Sequence, residues 1–248
     1  MADSIPAEPI SVTRYTLRAQ GDRCLSIDFG HEISVQTGLI CLAAAQALRA
    51  AALTGVTDIV PSYTSVALHY HPTAGADSAN INNLSHAIER LIARGLPALS
   101  ATSRLVEIPV CYGAEHGPDL AEVALKTGLT QDQVIELHTA PGSMVFMLGF
   151  APGSPYIGLH DAAFALPRRE VPRTAVPKGS VAIANRQTAI YPNRLPGGWH
   201  ILGATPLNMF EMGRTPPALL MPGDRVRFVP ISTAEFDRII ALQGGPTT

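Results

Sequence analysis

The chain of 248 residues has few charges, few cysteines and no long apolar run. Charged residues make up 15%, and Lys+Arg 18 against Asp+Glu 20 leaves a formal charge of -2, so no basic face for nucleic acid or an anionic membrane is expected. No apolar run approaches the roughly 18 residues that span a bilayer, and Met1–Pro9 lacks the features of a secretory signal. The three cysteines, an odd number without C-x-x-C spacing, favour reduced thiols. These absences predict a cytoplasmic protein that binds neither nucleic acid nor membrane.

The common motifs for nucleotides, hydrolytic nucleophiles and metals are also missing. Lys178-Gly179-Ser180 has P-loop letters in the wrong order, and neither G-x-G-x-x-G nor G-x-S-x-G occurs. His31-Glu32 is followed by Val35 where a zinc helix needs a second histidine. His69 and His71 share a strand face but lack an evident third ligand, which favours surface histidines over a metal site. We therefore predict no metal site, and no catalytic residue can be named.

The first part of the chain, residues 1–112, alternates strand and helix patterns. Strands are predicted at 12–17, 24–29 and 105–111, helices at 36–53 and 78–94, and a strand pair or one long strand at 59–70. The order β-β-α-β-α-β, with helices for only one sheet face, predicts an α+β domain.

Residues 113–248 follow a different pattern. Two short helices are predicted between 118 and 140, the second with capping-box spacing from Thr130 to Gln133. Short apolar runs then alternate with Gly/Pro turns, which is typical of a closed or nearly closed antiparallel barrel. These runs lie at 144–148, 181–184, 189–191, 199–202 and 226–231, and a closing helix is predicted at 232–242. The second domain is therefore predicted to be an all-β barrel with a few short helices.

Residue types that bind small anions or carbonyl compounds are dense between 138 and 206. Arginines offer planar donors for carboxylate or phosphate, a Gly/Pro loop offers backbone amides, and aromatic rings can form pocket walls. The candidate binding residues are His138, Phe150, Pro152, Gly153, Tyr156, Arg168, Arg173, Gln187, Thr188, Tyr191 and Trp199. Structural roles compete with this interpretation, since a helix-terminal histidine can be a cap and the tryptophan can be barrel core.

Several ordered motifs resemble one protein family. They include Gly149-Phe150-Ala151-Pro152-Gly153, Pro167-Arg168-Arg169, Gly179-Ser180-Val181, Gln187-Thr188, Pro196-Gly197-Gly198-Trp199, Gly203-x-Thr205-Pro206 and Gly117-Pro118-Asp119-Leu120. This pattern is similar to the B subunit of 5-oxoprolinase, also called allophanate hydrolase subunit 1, from about residue 12 to 236. The resemblance implies an N-terminal α+β domain followed by a cyclophilin-like β-barrel.

The resemblance also implies a function. Family members work with a larger C subunit, which is similar to allophanate hydrolase subunit 2, and with a third protein, the A subunit, in ATP-dependent opening of the 5-oxoproline lactam to glutamate. This chain would then be inactive alone and would share ATP with its partner. Two alternatives stay open: a carboxyltransferase-like subunit acting on urea or a related amide, or a non-catalytic inhibitor that binds a proline-containing segment of a histidine kinase.

The sequence departs from the family pattern at several positions. Ser154 replaces a phenylalanine, Leu159-His160 replaces Gly-Leu, Asn185-Arg186 replaces Gly-Gly, and Ala189 replaces a glycine. A hydroxyl in place of an aromatic ring and a new guanidinium beside Gln187 predict a more polar pocket than usual.

Overall fold

A computed structural model describes residues 9–73, 78–98 and 104–243 of the protein. The chain divides into two compact units, Met1–Ser103 and Arg104–Thr248. Each unit contains its own cluster of buried apolar side chains. The division precedes the predicted boundary after residue 112, because the strand that follows Arg104 pairs with strands of the second unit.

The first unit is an antiparallel sheet with two helices. The strands occur in the order β1-β2-β4-β3. The elements are β1 (Thr16–Ala19), β2 (Cys24–Asp28), α1 (Val35–Ala51), β3 (Val56–Pro61), β4 (Ser65–Tyr70) and α2 (Ile81–Ala93). Residues 59–70 therefore contribute to two strands, and the element order is β-β-α-β-β-α. The α+β class is confirmed, whereas the predicted return strand at 105–111 was wrongly assigned to this unit.

Helix α2 shows how the local sequence determines a helix of the first unit. The Asn80 side chain accepts a hydrogen bond from the Asn83 N–H and so caps the first turn. Leu84, Ile88 and Ile92 recur every four residues and are all buried. Each such side chain contributes roughly 1.5–3 kcal/mol through removal from water, so the apolar face fixes the helix on the core it shares with β2 and β4.

The second unit contains a closed seven-stranded barrel in the order β10-β7-β6-β13-β5-β12-β9. Its elements are β5 (Leu105–Tyr112), α3 (Leu120–Thr127), α4 (Gln131–Thr139), β6 (Met144–Leu148), β7 (Pro155–Gly158), β8 (Arg173–Val176), β9 (Ser180–Ala184), β10 (Gln187–Ile190), β11 (Leu195–Gly197), β12 (His200–Ala204), β13 (Arg225–Pro230) and α5 (Thr233–Leu242). Strands β8 and β11 form a separate two-stranded sheet. The predicted barrel and the Thr130–Gln133 capping box are both confirmed.

The barrel was predicted to be antiparallel, but one of its strand pairs is parallel. Strand β5 runs parallel to β13, with Leu105 opposite Arg225 and Val110 opposite Pro230. A parallel pair needs a long connection between its strands. The chain supplies one, because β5 is the first strand of the second unit in sequence and β13 is the last. Short strands β7, β8 and β11 were not predicted, since each is only three or four residues long and contains or borders proline or glycine.

Alternation along the strands creates two cores on opposite faces of the barrel wall. Val181 and Ile190 belong to a core that takes side chains from six strands, which places it inside the barrel. Ala182 and Ala189 are the sequence neighbours of Val181 and Ile190, so they point to the other side of the wall. They belong to a core on the outer face with Trp199. Within the described ranges, no helix combines the length and apolarity required to cross a bilayer.

Candidate functional site

Four of the predicted binding residues come together on the outer face of β7 and β10. Tyr156 and Trp199 pack edge to face with ring centroids 5.8 Å apart, and Tyr191 belongs to the same cluster. The Arg168 guanidinium carbon lies 5.8 Å from the Trp199 ring centroid, within the range of a cation–π contact. We call Tyr156, Arg168, Tyr191 and Trp199 the aryl–arginine face.

Small residues make room for these rings. Ala189 lies directly opposite Tyr156 in the β7–β10 pair, and the buried Ala182 and Ala184 continue the same face on β9. A Cβ at Gly197 would collide with the Tyr191 hydroxyl oxygen, so glycine is required there for close approach. Gln187, two residues before Ala189 on β10, is half-buried at the end of this face.

The electrostatics of the face suit an anionic or carbonyl ligand. Burial raises the pKa of the Tyr191 hydroxyl, and the Tyr156 phenol adds to this effect. The charge of Arg168, a hydrogen bond from the backbone N–H of Trp199 and the charge of Arg173 act in the opposite direction on that pKa. Since the pKa rises overall, Tyr191 stays protonated at neutral pH and can donate a hydrogen bond. Arg168 is exposed and forms no ion pair with any residue that the structure describes.

Arg173, by contrast, is engaged by a buried carboxylate. Its two terminal nitrogens donate to Asp119, at 2.9 Å to Oδ2 and 2.6 Å to Oδ1. Asp119 also accepts from Arg169 Nη1 at 3.1 Å and from the Ile201 N–H at 2.7 Å. Its side chain is 4% exposed. Sequence reasoning missed Asp119, because its motif gave no indication of which cation it would meet.

His138 and Thr188 lie elsewhere, in a buried chain of polar groups. His138 Nδ1 is 2.7 Å from the Tyr112 hydroxyl, and its Nε2 is 2.9 Å from Thr188 Oγ1. The same threonine hydroxyl lies 2.7 Å from His160 Nε2. We call Tyr112, His138, Thr188 and His160 the polar chain. Since His138 and Thr188 are both fully buried, a ligand on the outer face does not touch them.

Both histidines of the polar chain are neutral at pH 7. Burial lowers the pKa of His138 well below its usual range, and the nearby His160 lowers it further. Burial, followed by the charge of Arg186, lowers the pKa of His160 to about 4. Each neutral imidazole has one donor and one acceptor nitrogen, so the Thr188 hydroxyl donates to one ring and accepts from the other. The polar chain therefore pairs both nitrogens of His138 and Nε2 of His160 with its own hydroxyl groups.

Phe150, Pro152 and Gly153 lie in a third place, an open apolar groove of about 550 Å³. The groove is also lined by Phe210, Pro216, Pro217, Ala218 and Met221, among others. Phe150 is 64% exposed at a backbone φ of 70°, which is strained for an aromatic residue.

The loop that carries these residues is internally bonded. The amides of Gly149, Ala151 and Ser154 donate to carbonyls of the same loop. Contrary to the prediction, these three amides are therefore not available to a ligand. A Cβ at Gly149 would lie 3.8 Å from the Tyr156 ring, so the loop begins beside the aryl–arginine face. Among residues 9–73, 78–98 and 104–243, no three side chains of His, Cys, Asp or Glu gather as a metal site.

Known proteins share this sequence pattern and fold. Residues 15–220 match the family described as carboxyltransferase domain, subdomain C and D. The chain is 40% identical to the 5-oxoprolinase B subunit of Bacillus subtilis (strain 168) over 230 residues, covering 90% of this chain and 95% of that protein. It is 51% identical to the 5-oxoprolinase B subunit of Escherichia coli O157:H7 over 133 residues, covering 54% of this chain and 61% of that one.

Two solved structures are similar. The protein TTHA0988 shares 38% identity at a TM-score of 0.73, and the match covers 85% of this chain but 40% of that one. The chain therefore spans less than half the length of TTHA0988. The urea amidolyase of K. lactis matches with a TM-score of 0.72 at 18% identity, over 95% of this chain and 16% of that one, which is a likeness of fold alone.

Proposed function

Because the chain belongs to the family of 5-oxoprolinase B subunits, within the wider carboxyltransferase-domain family, we propose that it is one component of an ATP-dependent enzyme that opens 5-oxo-L-proline to L-glutamate. The observation that supports this most directly is the exposed Arg168 beside three aromatic side chains. A small ring bearing a carboxylate matches this combination, since guanidinium binds carboxylate in a planar fork and aromatic rings cover the apolar ring edge.

The proposed binding mode uses this chain's own donors. Arg168 holds the substrate carboxylate, and the rings of Trp199 and Tyr156 pack against the lactam ring. The Tyr191 hydroxyl donates to the lactam carbonyl and stabilises the negative charge that develops on its oxygen. This arrangement orients and polarises the lactam but assigns no general base to it.

ATP is proposed to be held chiefly by a partner. The turn at Lys178–Ser180 resembles a phosphate loop in composition only. Its Gly179 N–H donates to the Tyr191 carbonyl at 2.8 Å and its Ser180 N–H to the Pro177 carbonyl at 3.3 Å, so neither amide is available to phosphate. When bound, ATP would supply the phosphoryl group that activates the lactam oxygen. A larger C subunit, together with an A subunit, is the partner that we propose for this step.

The test is glutamate release from 5-oxo-L-proline by this chain copurified with the C and A subunits. We expect release to require ATP and to be absent from the isolated chain. Arg168→Met should lower kcat/KM about 10- to 100-fold, since a charge-assisted hydrogen bond is worth about 1.5–3 kcal/mol. Arg90→Met, an exposed arginine of α2, serves as the matched control and should leave kcat/KM unchanged. Equal rates for the two variants would contradict the assignment of Arg168.

A second candidate is a carboxyltransferase-like subunit acting on urea or a related amide. The family description and the buried Ser154 hydroxyl, in place of the usual phenylalanine, favour it. It is distinguished by a requirement for a biotinylated carrier protein, which lactam hydrolysis does not need.

A further inference from the structure

The carboxylate of Asp119 gathers donors from three segments of the second unit. It accepts from Arg169, from both terminal nitrogens of Arg173 and from the Ile201 N–H. Asp119 occupies the N-cap position of α3, yet its side chain makes no capping hydrogen bond. A carboxylate this deeply buried is stable only when its oxygens are paired, and these four donors pair them.

Two of these donors border the aryl–arginine face. Arg169 is the neighbour of Arg168, and its own N–H donates to the Gly198 carbonyl at 2.7 Å, immediately before Trp199. Ile201 follows Trp199 by two residues, and its carbonyl accepts the Asp119 N–H at 3.1 Å. Asp119 therefore holds the segments that carry both members of the cation–π pair.

The charges around Asp119 also single out one arginine. Arg169 contacts Asp119 and Glu122, and Arg173 contacts Asp119. Lys126 also pairs with Glu122, so three cations meet two carboxylates. Arg168, the third arginine of this segment, has no carboxylate partner among the described residues. The network thus pairs Arg169 and Arg173 with carboxylates, whereas the guanidinium of Arg168 lies above Trp199 without one among the described residues.

We propose that Asp119 is a positioning residue that fixes Arg168 over Trp199 and so pre-organises the anion site of the aryl–arginine face. The consequence for substrate binding rests on the proposed function, whereas the position of Arg168 relative to Trp199 does not. Pre-organisation of this kind lowers the entropy that binding must overcome.

Trp199 is the only tryptophan of the chain, so its fluorescence reports on this contact without any ligand. Asp119→Asn keeps the side-chain shape but removes the charge that holds Arg169 and Arg173. We expect a red shift of Trp199 emission and easier quenching by acrylamide. Arg168→Met should change the emission of the wild type but add nothing in the Asp119→Asn background.

Asp224→Asn is the matched control. Asp224 is also buried and accepts from an arginine, Arg104, and from a backbone N–H, that of Met221, but it contacts neither Arg168 nor Trp199. This control should leave Trp199 emission unchanged. If Asp119→Asn does not fold, Arg173→Lys replaces it, because lysine keeps the charge without the two-point contact, and the same red shift is expected.

Folded Asp119→Asn or Arg173→Lys with wild-type emission and quenching would overturn the proposal, as would an equal shift in Asp224→Asn. Glutamate release by the copurified complex then separates the positioning role of Asp119 from the proposed function. In an active complex, Asp119→Asn should raise KM for 5-oxo-L-proline about tenfold, as expected for a lost charge-assisted contact. An optical shift in a complex that releases no glutamate even as wild type would retain the role of Asp119 and reject the proposed function.

Discussion

The hydroxyl of Thr188 is shared by two histidines, which makes one oxygen atom responsible for two buried nitrogens. A hydroxyl can donate once and accept twice, so this sharing is chemically complete. His138 also bonds Tyr112, and the four groups cross the second unit between α4, β10 and β5. The polar chain is a specific feature of the core, since each member orders the tautomer of the next.

Thr188→Val should destabilise the second unit by about 1–3 kcal/mol, because an isosteric methyl leaves Nε2 of both His138 and His160 without a partner. The measurement is urea unfolding followed by Trp199 emission. Thr139→Val is the control: its hydroxyl only bonds carbonyls of its own helix α4, and its loss should cost much less. Equal costs for the two variants would mean that the shared hydroxyl has no special role.

Residue chemistry was predicted better than residue partners. The sequence motifs indicated Arg168, Tyr156, Tyr191 and Trp199 as site residues, and the structure brings them together. Asp119 escaped prediction because its contacts come from Arg173 and Ile201, which lie 54 and 82 positions away. A single sequence carries no local signal for a contact at such a distance.

The β9–β10 hairpin turns through two residues with left-handed backbone, Asn185 at φ 50° and Arg186 at φ 65°. Two-residue hairpins favour this geometry, but they usually place glycine at the second position. Arg186 adopts this strained conformation at the second position. Its Nε donates to the His160 carbonyl at 2.8 Å, and its own carbonyl accepts the His160 N–H. The hairpin thereby holds a cation beside His160.

Arg186→Gly should raise the pKa of His160 from about 4, because the guanidinium charge that disfavours the imidazolium is removed. The pKa should stay below its ordinary value, since burial is the larger cause and is unchanged. Nuclear magnetic resonance titration of the His160 ring measures this. Arg186→Lys, which keeps the charge, should leave the pKa low, and a similar rise in that variant would show that the charge is not the cause.

Element types followed from local patterns, whereas strand partners did not. Apolar spacing predicted α2, and Gly/Pro turns between short apolar runs predicted the barrel. Strand β5 was assigned to the first unit because it follows that unit's last helix, but it pairs with β12 and β13. Pairing is decided by which apolar faces meet in three dimensions, and strand periodicity is the same for every candidate partner.

The second unit should lose stability in mild acid. His160 is neutral and buried, with a folded-state pKa of about 4 against an ordinary value near 6.5. As the pH falls from 6.5 towards 4, His160 binds a proton in the unfolded chain but not in the folded one. The free energy of unfolding therefore decreases. His160 alone accounts for a loss of roughly 3 kcal/mol across this window, and His138 acts in the same direction.

Urea unfolding followed at Trp199 across pH 4 to 7 measures this loss, since that tryptophan lies in the second unit. His160→Leu should flatten the pH dependence, because one of the two protons is no longer involved. His31→Gln, at an exposed position of the first unit, should not alter it. An unchanged slope in His160→Leu would exclude His160 as a source of acid sensitivity.

The parallel seam between β5 and β13 has a consequence for synthesis on the ribosome. Glu107 and Arg227 face each other across this seam although 120 positions separate them. The strands that emerge between them can form hairpins early, but the wall stays open, with unpaired edges on β5 and β6, until residues 225–230 leave the exit tunnel. A nascent chain is thus most exposed to misassociation just before residues 225–230 emerge, when six of the seven barrel strands are available and the strand that closes the barrel is still missing.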